Sequence, residues 1–517
     1  MSRVRILTVE AVAEFADWVA TNTGPLGTAL DATGRAWSIA GTNGASFTFP
    51  AEDGEVVSAV LAAVSADGRR VWADHGTATA KTLTHRSGLP VDRFQLVGCV
   101  QTMRAVLRPG VTPPTRPTTP FSAAVAVARE VTELHATFPV EERRLALESI
   151  RQDILWRPRQ LAGLTLDLPL LRAETQRVWG AKRRMAAELG IDLTGDGADV
   201  FEWVADHGIT ILDHDGVPTL SRKFLEDAVV PEAALEAWKV FRPARSLKSS
   251  MVKLLELTNA EKAGTVYPEV IIRHAVTGRG TIRRPGLQNI TGSLRPLLAA
   301  APGKVLVGLD IDRCEVTLAA AMSGCPGLSA ALAAGDPYVQ LVISQHGMDE
   351  AGNAALRARY KKALLACLYG QGARSLGVQL GITTEAAKDL KAGLKREWPR
   401  LFEWIGENTV AAKAGGVGRT LTGRATPALE SSSAYKRTNH MVQGSGSDFL
   451  YRGVERIAER LGADVLYLTV HDEVVVEVAP EEAEVACRVL VESMTFNLPG
   501  DLLLTGTAIM VGQSWGK

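Results

Sequence analysis

DVLYLTVHDEVVVEV, residues 464–478, holds the densest structural signal in the chain. Two runs rich in β-branched residues flank a tight His471-Asp472-Glu473 turn, the pattern of a β-hairpin with carboxylates at its tip. Upstream, KVLVGLD (residues 304–310) reads as another short strand ending in a carboxylate, and residues 315–322 after it carry a helical pattern. Strand and hairpin together bring Asp310 and Asp472 to one sheet edge. Two carboxylates placed there repel unless a cation lies between them, and oxygen ligands favour Mg²⁺, as one or two ions. Taken alone, an acidic hairpin turn is usually structural.

Between these segments lies RARYKKALLACLYG, residues 357–370. Arg357, Lys361, Leu365 and Tyr369 recur every four residues; at about 100° per residue each step drifts only about 40°, so all four share one stripe of one helix. Arg followed by Lys offers two phosphate-binding cations, and Tyr beyond them a platform for a base.

The whole chain bounds the function. Its 517 residues suffice for three or four domains, and 57 Lys+Arg against 57 Asp+Glu exclude a uniformly basic nucleic-acid coat. With 46% hydrophobic and 22% charged residues the composition is that of a packed globular protein. Five cysteines without a CxxC pair argue against a disulfide framework or structural zinc and fit a reducing cytoplasm. Residues 316–335 are uncharged but carry Pro326, several Gly and Ser and mostly Ala rather than Leu, so they read as buried helix and turn, with no membrane association; the N-terminus shows no export signal. Charge is nevertheless skewed locally. Residues 239–253 hold Lys239, Arg242, Arg245, Lys248 and Lys253 with no acid, and residues 270–309 hold Arg273, Arg279, Arg283, Arg284, Arg295 and Lys304 with none either. Two such runs favour a polyanion track.

In this order the segments resemble motifs A, B and C of the family A DNA polymerases: LDIDRCEVTLAAAMSG from Leu309, RxxxKxxxxxxxYG from Arg357, and VHDEVVVEV. TGRGTIRRPGLQNI (277–290), GRTLTGR (418–424) and NHMVQGSGSD (439–448) extend the likeness over residues 163–517. The resemblance implies an α/β multidomain right-hand fold of palm, fingers and thumb. It implies a monomer that extends a primer 3′ end on primer-template DNA with deoxynucleoside triphosphates, using two Mg²⁺ ions for which Mn²⁺ can substitute. By resemblance, Asp310, Asp472 and the Ile311 carbonyl hold metal, with Glu473 beside them. Arg357 and Lys361 grip the triphosphate and Lys361 protonates the leaving pyrophosphate. Leu365, Tyr369 and Tyr338 complete the nucleotide pocket, and Glu315 excludes a ribose 2′-hydroxyl. Arg279, Gln288, Asn289, Asn439, Gln443 and His471 line the DNA. The chain departs from the pattern at Ile311, Thr317, Leu365 and Tyr338, and Leu365 in place of an aromatic predicts poor use of dideoxy terminators.

Residues 1–110 read as a small α/β unit with a helix over 9–20 and strands near 27–30, 36–39 and 46–49. They resemble, weakly, a 3′-5′ exonuclease domain of RNase H-like fold. Its metal ligands are missing: Ala32 and Thr33 follow Asp31, and Gly76, Ala80 and Gln101 stand where Asn and Asp are expected, so proofreading should be absent. The proline-rich residues 109–120 mark the expected boundary. The expected division is linker and helices at 111–164, thumb at 165–262, palm at 263–340 and 430–517, and fingers at 341–429. No 5′-nuclease segment is expected, which points to a phage replicative enzyme in a bacterial cytoplasm. A single-subunit RNA polymerase, opposed by Glu315, and a catalytically impaired DNA-binding scaffold are the alternatives.

Overall fold

The computed structural model describes residues 3–6, 8–9, 11–66, 69–109, 120–193, 198–213, 216–220, 225 and 228–516. The expected hairpin and strand form a four-stranded antiparallel sheet in the order Leu466–Val470, Glu473–Val478, Val305–Ile311, Gly506–Gly512. Strands Leu466–Val470, Glu473–Val478 and Val305–Ile311 are buried along nearly their whole length, and helices Arg437–Leu461 and Ala483–Ser493 contribute to the same core. Every residue of Val305–Ile311 is buried except Asp310. Burial selects the Val and Leu positions, and the one exposed position carries the carboxylate.

Past Ile311 the chain turns through Arg313, held at φ +50, into helix Cys314–Ser323. Gly324, also left-handed, ends that helix before Pro326–Ala333 begins, so residues 316–335 are helix, turn and helix as the composition suggested. Among the described residues no helix is long and apolar enough to cross a membrane. The basic stripe lies on helix Ala354–Leu368, started by the Asn353 side chain accepting from Leu356 N at 3.0 Å and closed at Tyr369.

The first basic run lies on helix Leu235–Ala260, which packs along Leu168–Leu189. Its terminal lysines are partly neutralised from just outside the acid-free window: Lys239 pairs with Glu236, and Lys253 with Glu256 and the Gly286 carbonyl. The Lys248 side chain lies outside the described residues.

The N-terminal unit is a six-stranded mixed sheet ordered Arg3–Arg5, Ser46–Pro50, Ala36–Ala40, Leu26–Leu30, Val71–Ala73, Val97–Cys99. Helix Pro120–Thr137 returns across strands Leu26–Leu30 and Ala36–Ala40, so close that a Cβ on Gly27 would collide with the Ala124 carbonyl. This corrects the boundary read from the prolines. Residues 110–119 lie outside the described residues, but packing carries the unit past them, because proline ends a helix without ending a domain.

Candidate active site

Asp310 pairs in register with Glu473, and Ile311 N donates to the Asp472 backbone carbonyl at 3.2 Å, which sets the two aspartates on neighbouring chain segments at one end of the inner strands. His471 takes φ +57 as the first central residue of the hairpin turn, the left-handed position that such tight turns require. Burial, then the charges of Glu473 and Asp312, push the Asp310 carboxyl above its ordinary value despite Lys361 and Arg295. Burial also raises Asp472; Arg279 opposes the rise and Asp310 adds to it. Two partly desolvated carboxylates, each raised by burial and by a neighbouring carboxylate, are an incomplete charge arrangement, one that a divalent cation completes.

Arg279 supplies a positive charge on one side of this pair. Its Nη2 donates to Asp472 Oδ1 and to Glu315 Oε1, each at 3.1 Å. Glu315, in the first turn of helix Cys314–Ser323, also accepts from Gln443 Nε2 at 3.1 Å and from the Tyr369 hydroxyl. Three separate segments therefore converge on the carboxylate at the strand-to-helix turn: the 269–283 hairpin, the end of the basic stripe, and the long helix. The hydroxyl stays protonated, because burial and the Glu315 charge both raise the Tyr369 pKa.

The stripe behaves as its spacing implies at three positions. Lys361 is exposed, Leu365 packs half-buried against the core, and Tyr369 reaches Glu315. Arg357 is already engaged: its Nε donates to Asp336 Oδ2 at 2.9 Å, and its guanidinium lies 5.6 Å from the Tyr338 ring centroid. Tyr338 itself is buried, at 2% exposure, beneath that guanidinium. Arg279, Gln288, Asn289 and His471 line one cavity of about 190 Å³ together with Tyr451. Gln288 donates to the Gly280 carbonyl, and Asn439 lies one turn before Gln443 with its Oδ1 buried and unpartnered.

Several contacts that shape the site escaped the reading of the sequence. Glu473 is held at both oxygens, by Arg295 Nη1 at 3.0 Å and by Trp515 Nε1 at 3.0 Å, with Arg295 stacked 4.3 Å from the Trp515 ring. Asp336 holds Arg357 while capping its own helix through Tyr338 N at 2.8 Å. Behind the site Asp448 forms an ion pair with Arg273 at 2.6 Å and accepts from Arg424 at 2.8 Å and Thr422 at 2.6 Å, all deeply buried except the threonine. Arg273 and Arg295 belonged to the acid-free run; Trp515, Asp336 and Asp448 gave no local signal.

The donors fit a divalent cation: two carboxylates both raised above their ordinary values, with the Ile311 carbonyl adjacent in sequence. Among the described residues no group of three or more His, Cys, Asp or Glu side chains is arranged to hold a metal, so oxygens beyond the side chains must complete any coordination shell.

The chain is similar to DNA polymerase I from Thermus aquaticus, 27% identical over 391 residues that cover 69% of this chain and 46% of that protein. It is also similar to the DNA polymerase of Mycobacterium phage D29, 26% identical over 355 residues, 66% of this chain and 57% of the other. The chain spans about half the length of the curated relatives it matches. Among solved structures, the POL domain of Pol1 from M. smegmatis, in complex with DNA primer-template and dNTP, superposes with a TM-score of 0.82 at 19% identity over 99% of both chains, a likeness of fold. The family description "DNA polymerase family A" matches residues 211–517, more than half of the sequence, and so the chain belongs to DNA polymerase family A.

Proposed function

We propose that this chain is a template-directed DNA polymerase that adds deoxynucleotides to a primer 3′ end. The observation that carries the reading is the meeting at Glu315: Tyr369 of the second motif, Gln443 of the NHMVQGSGSD segment and the minor-groove arginine Arg279 all donate to this first-motif carboxylate, and Arg279 links it to Asp472.

Arg357 and Lys361 hold the triphosphate, and Arg357 exchanges the Asp336 carboxylate for phosphate as the nucleotide arrives. Glu315, fixed by Tyr369, Gln443 and Arg279, fills the space beside the sugar that a 2′-hydroxyl would need, so a ribonucleotide must displace a hydrogen-bonded carboxylate. Lys361 delivers a proton to the pyrophosphate as charge develops there. Asp310, Asp472 and the Ile311 carbonyl would hold the divalent ions, Mg²⁺ in the first instance, whose charge would favour ionisation of the primer 3′-hydroxyl and departure of pyrophosphate. Gln288, Asn289, Asn439, Gln443 and His471 face the primer-template minor groove, where acceptors common to every base pair permit a check on shape without reading sequence.

The antiparallel sheet is the palm, the segment carrying the Arg357 stripe is the fingers, and the Leu168–Leu189 and Leu235–Ala260 pair is the thumb. The N-terminal sheet is a retired exonuclease domain. Its central antiparallel-then-parallel strand order supports the lineage, and two features support inactivity. Asp31 spends its carboxylate on its own turn, accepting from Arg35 N at 2.8 Å, and helix Pro120–Thr137 covers the strand at Gly27. The phage relative supports a phage enzyme working in a bacterial cytoplasm, where both substrates are found.

The test is extension of a labelled primer on four templates that differ only in the base to be copied, with single deoxynucleotides and Mg²⁺. Incorporation of the complementary nucleotide alone is expected, with no shortening of a mismatched primer. No extension on any template, or addition regardless of template, would overturn the reading.

A further inference from the structure

Tyr435 stands apart from the other aromatic residues around the site. It lies in the short turn Ser431–Lys436 that leads directly into the helix carrying Asn439 and Gln443. Its side chain is 42% exposed, whereas Tyr369 is half-buried and its hydroxyl is committed to Glu315. The two tyrosines are neighbours through one glycine. Gly370 follows Tyr369 at φ +73, and a Cβ there would collide with the Tyr435 ring. The ring thus rests against bare backbone at the bend that ends the Arg357–Tyr369 stripe, and the rest of it faces solvent. Lys436, also exposed, places its ammonium 5.7 Å from the ring centroid.

An open aromatic face beside a cation is what a single-stranded nucleic acid needs: a surface for a base and a charge for the adjoining phosphate. Copying creates such a need at one place. When a template base turns in to pair with the incoming nucleotide, it leaves the stack of the base 5′ to it, and that second base keeps a partner only if the protein offers one. Tyr369 closes the pocket on the template side, and Tyr435 is the next aromatic surface beyond it. The turn that carries Tyr435 is continuous with the helix bearing Gln443, so the shelf and the pair-checking residues move as one element.

We propose that Tyr435 is the stacking shelf for the first unpaired template base, immediately 5′ of the base being copied, with Lys436 at its phosphate. The proposal rests on the polymerase reading above and adds to it a residue that receives template ahead of the chemistry. Stacking of this kind tolerates any base, so the shelf serves all sequences alike.

The test compares wild type, Tyr435→Ala and Tyr435→Phe in binding two primer-templates, one ending at the templating base and one with a single further 5′ nucleotide. In wild type and Tyr435→Phe the added nucleotide should tighten binding by about fivefold or more. In Tyr435→Ala that increment should vanish. 2-Aminopurine at the added position should be quenched by wild type and Tyr435→Phe and bright with Tyr435→Ala. A merely structural role would shift both DNAs equally. Equal increments and equal quenching in wild type and Tyr435→Ala would overturn this proposal alone. Failure of wild type to extend any primer would overturn the polymerase reading and the proposal with it.

Discussion

Asp448→Asn tests how the site is braced. Asp448 is 2% exposed and lies between Arg273 and Arg424, themselves 5% and 4% exposed, with Thr422 completing the shell. Arg273 further reaches Ser149 and Gln152 of helix Val140–Ile154 and Ser447 of the long helix. One carboxylate thus ties the Arg279 hairpin, the 419–426 loop, the helix bearing Gln443 and the helix behind them. Asparagine keeps the shape but removes the charge, and its amide must present N–H groups to donors. Stranding two buried guanidiniums should cost about 3–5 kcal/mol, the usual penalty for breaking a buried ion pair by removing one partner. At about 2–4 °C per kcal/mol for a unit of this size, the melting temperature of the polymerase portion should fall by about 6–20 °C. Urea unfolding followed by tryptophan fluorescence measures the loss directly. The pH profile supplies a second, signed check. Burial raises the Asp448 carboxyl, but Arg424 and Arg273 outweigh it and leave the folded pKa below the ordinary 3.8. A carboxyl depressed by folding adds stability that is fully present above its unfolded pKa and is lost as pH falls through the folded one. Wild type should therefore lose this contribution only below about pH 4, and Asp448→Asn should lack that part of the acid-side decline. A loss under about 1 kcal/mol with an unchanged acid limb would refute the reasoning.

Other substitutions address the chemistry. Glu315→Ala should admit ribonucleotides, lowering discrimination against them by at least about tenfold in competing single-nucleotide insertions; unchanged discrimination would remove Glu315 from sugar selection. Arg357→Ala should raise the KM for deoxynucleotide by about 10- to 100-fold, the worth of a charge-assisted bond to phosphate, with a smaller effect on DNA affinity. Leu365→Phe should improve incorporation of dideoxynucleotides several-fold over wild type in a termination assay, because the half-buried leucine gives the sugar and base no aromatic face.

The strands and the basic stripe were legible because their signals are local: β-branched runs around a turn, and a four-residue repeat along one helix. The exposed Asp310 at the end of a buried strand followed from the same pattern. The partners of Glu315 were legible only as matches to motifs, since Gln443 lies 128 positions away and no spacing rule spans that distance. The Glu473 clamp and the Asp448 hub were not legible at all. Both join residues distant in sequence, and a buried arginine looks like a surface arginine until its acceptors are known. The first domain boundary was misjudged for a related reason. Proline marks where a helix stops, whereas the return of helix Pro120–Thr137 onto Gly27 depends on small residues meeting across the fold.

The basic runs also look different once folded. Several of their cations serve the interior, Arg273 at Asp448, Arg295 at Glu473, and Arg279 between Glu315 and Asp472. The balanced charge of the chain is therefore compatible with a cleft that is basic along its walls and acidic at its centre.

The central claim is that Asp310 and Asp472 make one centre for nucleotide transfer. Single-turnover primer extension with wild type, Asp310→Ala and Asp472→Ala, each with primer-template binding measured alongside, tests it most directly. Wild type should extend the primer in Mg²⁺ and stop when the ion is chelated, while both variants still bind DNA and fail to extend it. Extension by either variant at the wild-type rate, or none by wild type, would contradict the account.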